Sequence, residues 1–217
     1  MTSSRRPGPP RSRSQSPLSP QQFRAATGVS RETLERLRLY AEVLVEWQRA
    51  INLVSRRSLA DLWRRHMLDS AQLLPLARGA RCWVDLGSGA GFPGLVLAIL
   101  GAPEVHLIES DGRKCAFLRE AARRAAAPVT VHEGRIEAIA PWPADVVVAR
   151  ACAPLPRLLG YALPFVAPQT HCLFLKGQDV EKELTKATTY WNMEVERQKS
   201  VSDPEGIILR LKKLSRA

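Results

Sequence analysis

The stretch "WVDLGSGAGFPGLVLAIL", Trp83 to Leu100, runs apolar, then acidic, then sets Gly87, Gly89, Gly91 and Gly94 within eight residues, then turns apolar again. Such a pattern reads as strand, loop and helix. Glycines there let the backbone turn with positive φ and let a ligand approach the main chain. Glu109, at the end of the next apolar run, lies 22 residues beyond Gly87. From that spacing a carboxylate can accept hydrogen bonds from ribose hydroxyls. A dinucleotide fingerprint would need Gly or Ala at position 92, where the chain has Phe92, and Pro93 removes an N–H that a pyrophosphate could use. No G-x-x-x-x-G-K-[ST] occurs, which excludes the usual nucleotide-hydrolysing loop. The D-x-G-x-G-x-G form beginning at Asp85 suits a nucleoside cofactor without phosphate, such as S-adenosylmethionine. The competing reading is a glycine turn used only for packing.

Outward from this loop, apolar runs predict strands at Cys82–Leu86, Val105–Glu109, Val129–His132, Asp145–Ala149 and His171–Leu175. Helices are predicted between them near Gly94–Leu100, Arg113–Ala125 and Leu155–Val166, with another at Val180–Tyr190. Two further strands, Met193–Arg197 and Gly206–Leu211, flank the turn "SDPEG" and predict an antiparallel edge hairpin. Continuously apolar strands alternating with helices indicate an α/β fold, a doubly wound, mostly parallel seven-stranded sheet over residues 81–217. Residues 21–80 predict a helical cap. Ser30 is a candidate N-cap before the stripe Leu34, Leu37, Leu44 and Trp47, and Ser58 a candidate cap for a second helix with Asp61 in its first turn. Residues 1–20 hold five Pro, six Ser and four Arg with little apolar surface, and predict a disordered basic tail.

Composition limits the partners. Hydrophobic residues make up 45% and charged residues 24% of the chain, ordinary for a globular protein. No apolar run reaches the roughly 18 residues of a membrane span, and the first residues lack a secretory core, so the cytoplasm is the expected location. The net charge of +11 favours a polyanion such as nucleic acid, although charge of this kind also serves solubility. Cys82, Cys115, Cys152 and Cys172 are scattered without a C-x-x-C pair. No metal is therefore expected, and buried free thiols are.

Several segments carry a resemblance. "VDLGSGAGFPGLVLAIL", "LIESDGRKCAFLRE", "GRIE" and "ARACAPLPRLL", preceded by "INLVS" and "LWRRHMLDSAQLLPL" and followed by "LFLKG", occur in the order found in the RsmG (GidB) methyltransferases. The likeness covers about residues 31–212 and implies a Rossmann-like class I methyltransferase. It implies transfer of a methyl group from S-adenosylmethionine to N7 of a guanosine in the decoding region of 16S ribosomal RNA, free or within the small subunit. It further implies cofactor contacts from Gly87 and Phe92, adenine flanked by Ile136 and Glu137, and Arg150 near the methionine part. With Asp85, Gly89 and Glu109 from the loop reading, these form the candidate cofactor site.

Guanine N7 carries a free lone pair, so its methylation needs alignment and no general base, consistent with the lack of an evident catalytic dyad. Arg150 is the candidate catalytic residue, aimed at the cofactor or guanine O6; its structural alternative is an ion pair with Asp145 or Glu137. Lys176 is a candidate RNA contact or a solvated strand end. His66 and Asp69 read as a local polar pair fastening the cap. Cys152 leaves open an RNA cytosine-C5 methyltransferase using that thiol, and a non-catalytic RNA-binding scaffold stays open as well.

Overall fold

The computed structural model describes residues 16–217, and the expected tail lies outside the described residues for positions 1–15. Residues 16–20 already belong to the cap: Leu18 N donates to Asp61 Oδ1 at 2.8 Å and Arg64 to the Ser16 carbonyl at 2.9 Å. Helix α1 (Pro20–Thr27) starts from a capping box between Ser19 and Gln22, with Pro20 at its first position, where its missing N–H is no loss. Ser30 Oγ accepts from Thr33 N and starts α2 (Arg31–Trp47), whose Leu34, Leu37, Tyr40, Val43 and Leu44 are buried at helical spacing.

The next segment departs from the sequence reading. Ser55, not Ser58, is the N-cap, opening the single turn α3 (Arg56–Leu59). The chain then forms a π-helix over Trp63–Leu68 that runs into α4 (Asp69–Ala71). A π-helical turn is rare and recurs at functional sites, where it re-aims side chains.

The core is a sheet of β1 (Cys82–Leu86), β2 (Glu104–Glu109), β3 (Val129–Glu133), β4 (Ala144–Arg150), β5 (Val166–Lys176), β6 (Trp191–Lys199) and β7 (Ile207–Arg216). Strand order is β3-β2-β1-β4-β5-β7-β6, with β7 antiparallel to both its neighbours and the others parallel. The expected edge hairpin is present, and its second strand inserts next to β5. Helices α5 (Gly94–Ile99) and α6 (Gly112–Arg124) cover one face together with α1 and α2, and α7 (Leu155–Ala162) and α8 (Val180–Ala187) cover the other. Burial on both faces explains why β1 and β4 read as unbroken apolar runs.

Strand order reverses between β1 and β4, both of which lie inside the sheet. Connections leave their carboxyl ends in opposite directions, which opens a crevice there. The cap closes one side of that crevice. Tyr40, fully buried on α2, donates its hydroxyl to the Ala90 carbonyl of the glycine loop, and its ring lies 5.2 Å from that of Phe92. Trp47 packs edge-on against Phe117 of α6 at 5.9 Å, joining cap to core.

Candidate functional site

A cleft of about 1060 Å³ opens over the carboxyl ends of β1, β2, β4 and β5. Its floor is the loop after β1. Gly87 adopts φ 66°, and a Cβ built on it would stand 2.6 Å from Cys152 Sγ. Only glycine fits both the turn and the closeness of the β4 loop. Gly94, the first residue of α5, would place a Cβ 2.4 Å from Leu107 Cδ2 and 2.7 Å from Asp85 Oδ2, so the helix sits directly on the sheet.

Asp85 is corrected by this geometry. It is fully buried, does not line the cleft, and accepts the Gly94 N–H through Oδ2 at 3.0 Å. It acts on the site by holding the start of α5. Burial pushes its carboxyl up to about 7, partly offset by the Gly94 N–H. Glu109 does reach the cleft. Its Oε2 accepts Gly89 N–H at 2.8 Å, and its Oε1 accepts the N–H groups of Ser110 and Asp111 at 2.8 and 2.9 Å. Three of about four acceptor positions are used, which locks the carboxylate and leaves capacity on Oε2 for a hydroxyl. Gly89, Phe92, Ile136 and Glu137 line the same cleft, so the structure brings together every expected cofactor residue except Asp85.

Arg150 ends β4 with its guanidinium 4.9 Å from the Phe92 ring centroid. Its Nη1 donates to the Arg65 carbonyl at 3.0 Å and lies 3.7 Å from Asp69 Oδ2. The ion pair weighed as the structural alternative, with Asp145 or Glu137, is not the one formed; the partner is Asp69. Burial lowers the Arg150 pKa from its ordinary value and Asp69 opposes the shift; the group stays cationic. Asp69 is not paired with His66 either. Its Oδ1 accepts from the Ser202 hydroxyl at 2.5 Å and from Gln72 at 3.0 Å, which ties the cap to the β6–β7 turn.

His66 is the residue that sequence reasoning undervalued. Its imidazole stacks on Phe92 at 4.7 Å and 28°, lines the cleft, and has no hydrogen-bond partner for either nitrogen among the described residues. Burial, helped by Arg150 and Arg65, pulls its pKa down to about 3, so it is a neutral ring with one donor and one acceptor to offer. The recurrence of Leu62, Trp63, His66, Met67, Ser70 and Leu73 signals a helix there, but not the π-helical turn that carries His66 to the cleft.

Lys176 lines the cleft but is internally paired. Its side chain is only 9% exposed, and its ammonium donates to the Ala153 carbonyl at 3.0 Å and pairs with Glu183 at 2.7 Å, which fastens the loop after β4 to α8. Three cations on the rim are exposed: Arg65, which is paired with Asp203, Arg135, and Arg157 over the Tyr161 ring at 5.2 Å. Cys152 presents a thiol whose pKa rises to about 11, first through burial and then through Asp85 and Glu109. A nucleophilic cysteine needs the opposite environment, which counts against the reading as cytosine chemistry.

Comparison with known proteins identifies the family. The chain matches the family model of rRNA small subunit methyltransferase G over residues 33–207. It is 60% identical over 200 residues to a Ribosomal RNA small subunit methyltransferase G of Paramagnetospirillum magneticum, covering 92% of this chain and 98% of the relative. The protein of that name from Rhodospirillum rubrum is 57% identical over 201 residues, covering 92% and 100%. Among solved structures, PH0226 protein from Pyrococcus horikoshii aligns with TM-score 0.61 at 14% identity, over 77% of this chain and 98% of that one. A mutant of MtNAS in complex with S-adenosylmethionine aligns with TM-score 0.55 at 16% identity, over 90% and 84%. Those two establish the fold alone. The family match and the close relatives establish membership: the chain belongs to the rRNA small subunit methyltransferase G family.

Proposed function

We propose that the protein transfers the methyl group of S-adenosylmethionine to N7 of a guanosine in 16S ribosomal RNA, as free RNA or within the small subunit, in the cytoplasm. The observation that carries this reading is the cleft itself. A glycine floor, a locked Glu109 carboxylate, and Arg150 and His66 each packed on Phe92 face one cleft of about 1060 Å³, room for a cofactor and a target base together. Glu109 would accept from ribose, Ile136 and Glu137 would flank adenine, and the Gly87–Phe92 loop would run along the methionine part. The bound cofactor supplies an electrophilic methyl on a sulfonium.

The protein's own work is orientation. The lone pair on N7 needs no proton removed, so a neutral His66 and a cationic Arg150 serve as hydrogen-bond donors and not as bases. Either donor can fix guanine O6, while N7 must stay free for the attack. Phe92 holds both groups by stacking, Asp69 anchors Arg150, and the cap walls one side of the cleft. Arg135 and Arg157 on the rim take the phosphate role expected of Lys176.

The test maps methylated bases by mass spectrometry in ribosomal RNA from cells with and without the protein. Loss of one 7-methylguanosine from 16S RNA in the deleted strain supports the reading. An unchanged set of modified guanosines, or loss of a methylcytosine, overturns it.

A further inference from the structure

At the amino ends of the strands, away from the cleft, the sheet gathers a second set of polar side chains. Cys82 opens β1 and is the register partner of Glu104 at the start of β2, and His106 follows two residues later on the same face. The Cys82 sulfur, a Glu104 carboxylate oxygen and a His106 ring nitrogen all lie within 4.8 Å of one another. We propose that Cys82, Glu104 and His106 form a binding site for a divalent cation of the zinc class, with water in the fourth position.

The donor chemistry fits. Thiolate, imidazole and carboxylate are the three ligand types that zinc accepts, and three protein ligands with one open position make a common zinc arrangement. With bonds of about 2.0–2.3 Å in a tetrahedral site, neighbouring ligand atoms stand roughly 3.3–3.6 Å apart. His106 Nε2 and Glu104 Oε1 are now 2.9 Å apart, so a small opening admits the ion. Glu104 is 61% exposed and free to make that movement, whereas His106 is 14% exposed and fixed.

What fixes His106 is a supporting layer of the kind metal ligands need. Its Nδ1 lies 3.0 Å from His132 Nε2 on β3, so the tautomer with hydrogen on Nδ1 donates there and turns Nε2 toward Glu104 and Cys82. Trp142 packs against both imidazoles, at 4.7 Å from His106 and 4.8 Å from His132. Its indole N–H is buried, has no acceptor meeting hydrogen-bond geometry among the described residues, and lies toward the Cys82 sulfur. A metal-bound thiolate is an acceptor that would satisfy it. Asp145 Oδ2 accepts the Cys82 N–H at 3.0 Å and holds the start of β1 in register. Metal binding releases the thiol proton to solvent and changes no oxidation state. Short-range spacing could not reveal this set, because its members come together only when β1, β2 and β3 pair.

The test uses the full, untagged chain, stripped with a chelator and titrated with Co²⁺ as the spectroscopic probe. Expected are a thiolate-to-cobalt charge-transfer band and tetrahedral d–d bands that saturate at one equivalent and vanish when Zn²⁺ is added. Cys82→Ser should abolish the charge-transfer band, and Glu104→Gln, an exposed change that leaves the fold intact, should weaken Co²⁺ binding at least tenfold. Cys152→Ser should keep the full spectrum. Zn²⁺ should raise the melting temperature of the wild type and not that of Cys82→Ser, with methyl transfer equal in both. The proposal is overturned if the wild type shows no thiolate band, if the band survives Cys82→Ser, or if Glu104→Gln binds Co²⁺ as tightly as the wild type.

Discussion

At the scale of single residues, Cys152 leaves no room for a side chain at Gly87. Gly87→Ala would place a methyl group 2.6 Å from Cys152 Sγ at a backbone φ of 66°. We expect a loss of about 1–3 kcal/mol in stability from overpacking and at least a tenfold loss of S-adenosylmethionine affinity. Adding Cys152→Ala removes the sulfur and should restore part of both, by calorimetry and thermal melts. No recovery in the double variant would show that backbone strain, not the sulfur, sets the requirement for glycine. Asp85 gives a second expectation. Its pKa is raised by burial from the ordinary carboxylate range to about 7, so the folded state holds a proton that the unfolded chain releases. Its contribution is full below about pH 4 and is lost as pH rises through about 7. Asp85→Asn, which never ionises, should gain on the wild type over that window by up to roughly 1.4 kcal/mol per pH unit. Denaturant melts without cofactor at pH 5 and pH 8 check this; an equal difference at the two pH values contradicts it.

At the scale of elements, the Tyr40 hydroxyl hydrogen-bonds the cap to the glycine loop, beside the packing of Tyr40 and His66 on Phe92. Tyr40→Phe removes the donor to the Ala90 carbonyl and leaves that acceptor buried. We expect about 1–3 kcal/mol of destabilisation and weaker cofactor binding with the helical content unchanged, measured by melts, calorimetry and circular dichroism. This scale also divides what the sequence reveals from what it hides. The strands β1, β2 and β4 were legible to within a residue or so because burial makes their apolar runs nearly continuous, and the edge strand β3 because Val129 and Val131 alternate with polar residues. The α3–α4 region was not. Ser55 and Ser58 are both competent caps, and only the break after Leu59 decides between them. The π-helix carries His66 onto Phe92, a distant contact that local periodicity does not encode. In the same way Lys176 looked free until α8 brought Glu183 to it, and Arg150 found its partner in Asp69 on the cap. The cofactor loop, Glu109 and Arg150 were legible because their positions follow from strand ends.

At the scale of the whole molecule, 32 basic against 21 acidic residues leave a surplus that can serve RNA only where the cations are free. Arg135 and Arg157 are free at the rim, while Lys176 is spent internally. The double change Arg135→Ala and Arg157→Ala should reduce the slope of log affinity against log salt by about 1.4 on single-stranded RNA, at roughly 0.7 per lost phosphate contact. It should leave turnover at saturating RNA within about twofold. Filter binding across salt concentrations and initial rates measure the two quantities, and an unchanged slope would remove these arginines from the RNA surface.

The central claim is that the Arg150 end of the cleft aligns a guanine N7 with the methyl donor. It is met most directly by methyl transfer from labelled S-adenosylmethionine to unmethylated small subunits at saturating substrate, with the modified base located by cleavage at 7-methylguanosine. The account predicts transfer to one guanosine by the wild type. For Arg150→Ala it predicts a fall of about 10²–10³ in kcat, the size associated with losing a fixed donor at the reacting centre, with an unchanged salt slope. Transfer to a cytosine, or a full rate from Arg150→Ala once RNA is saturating, would contradict it.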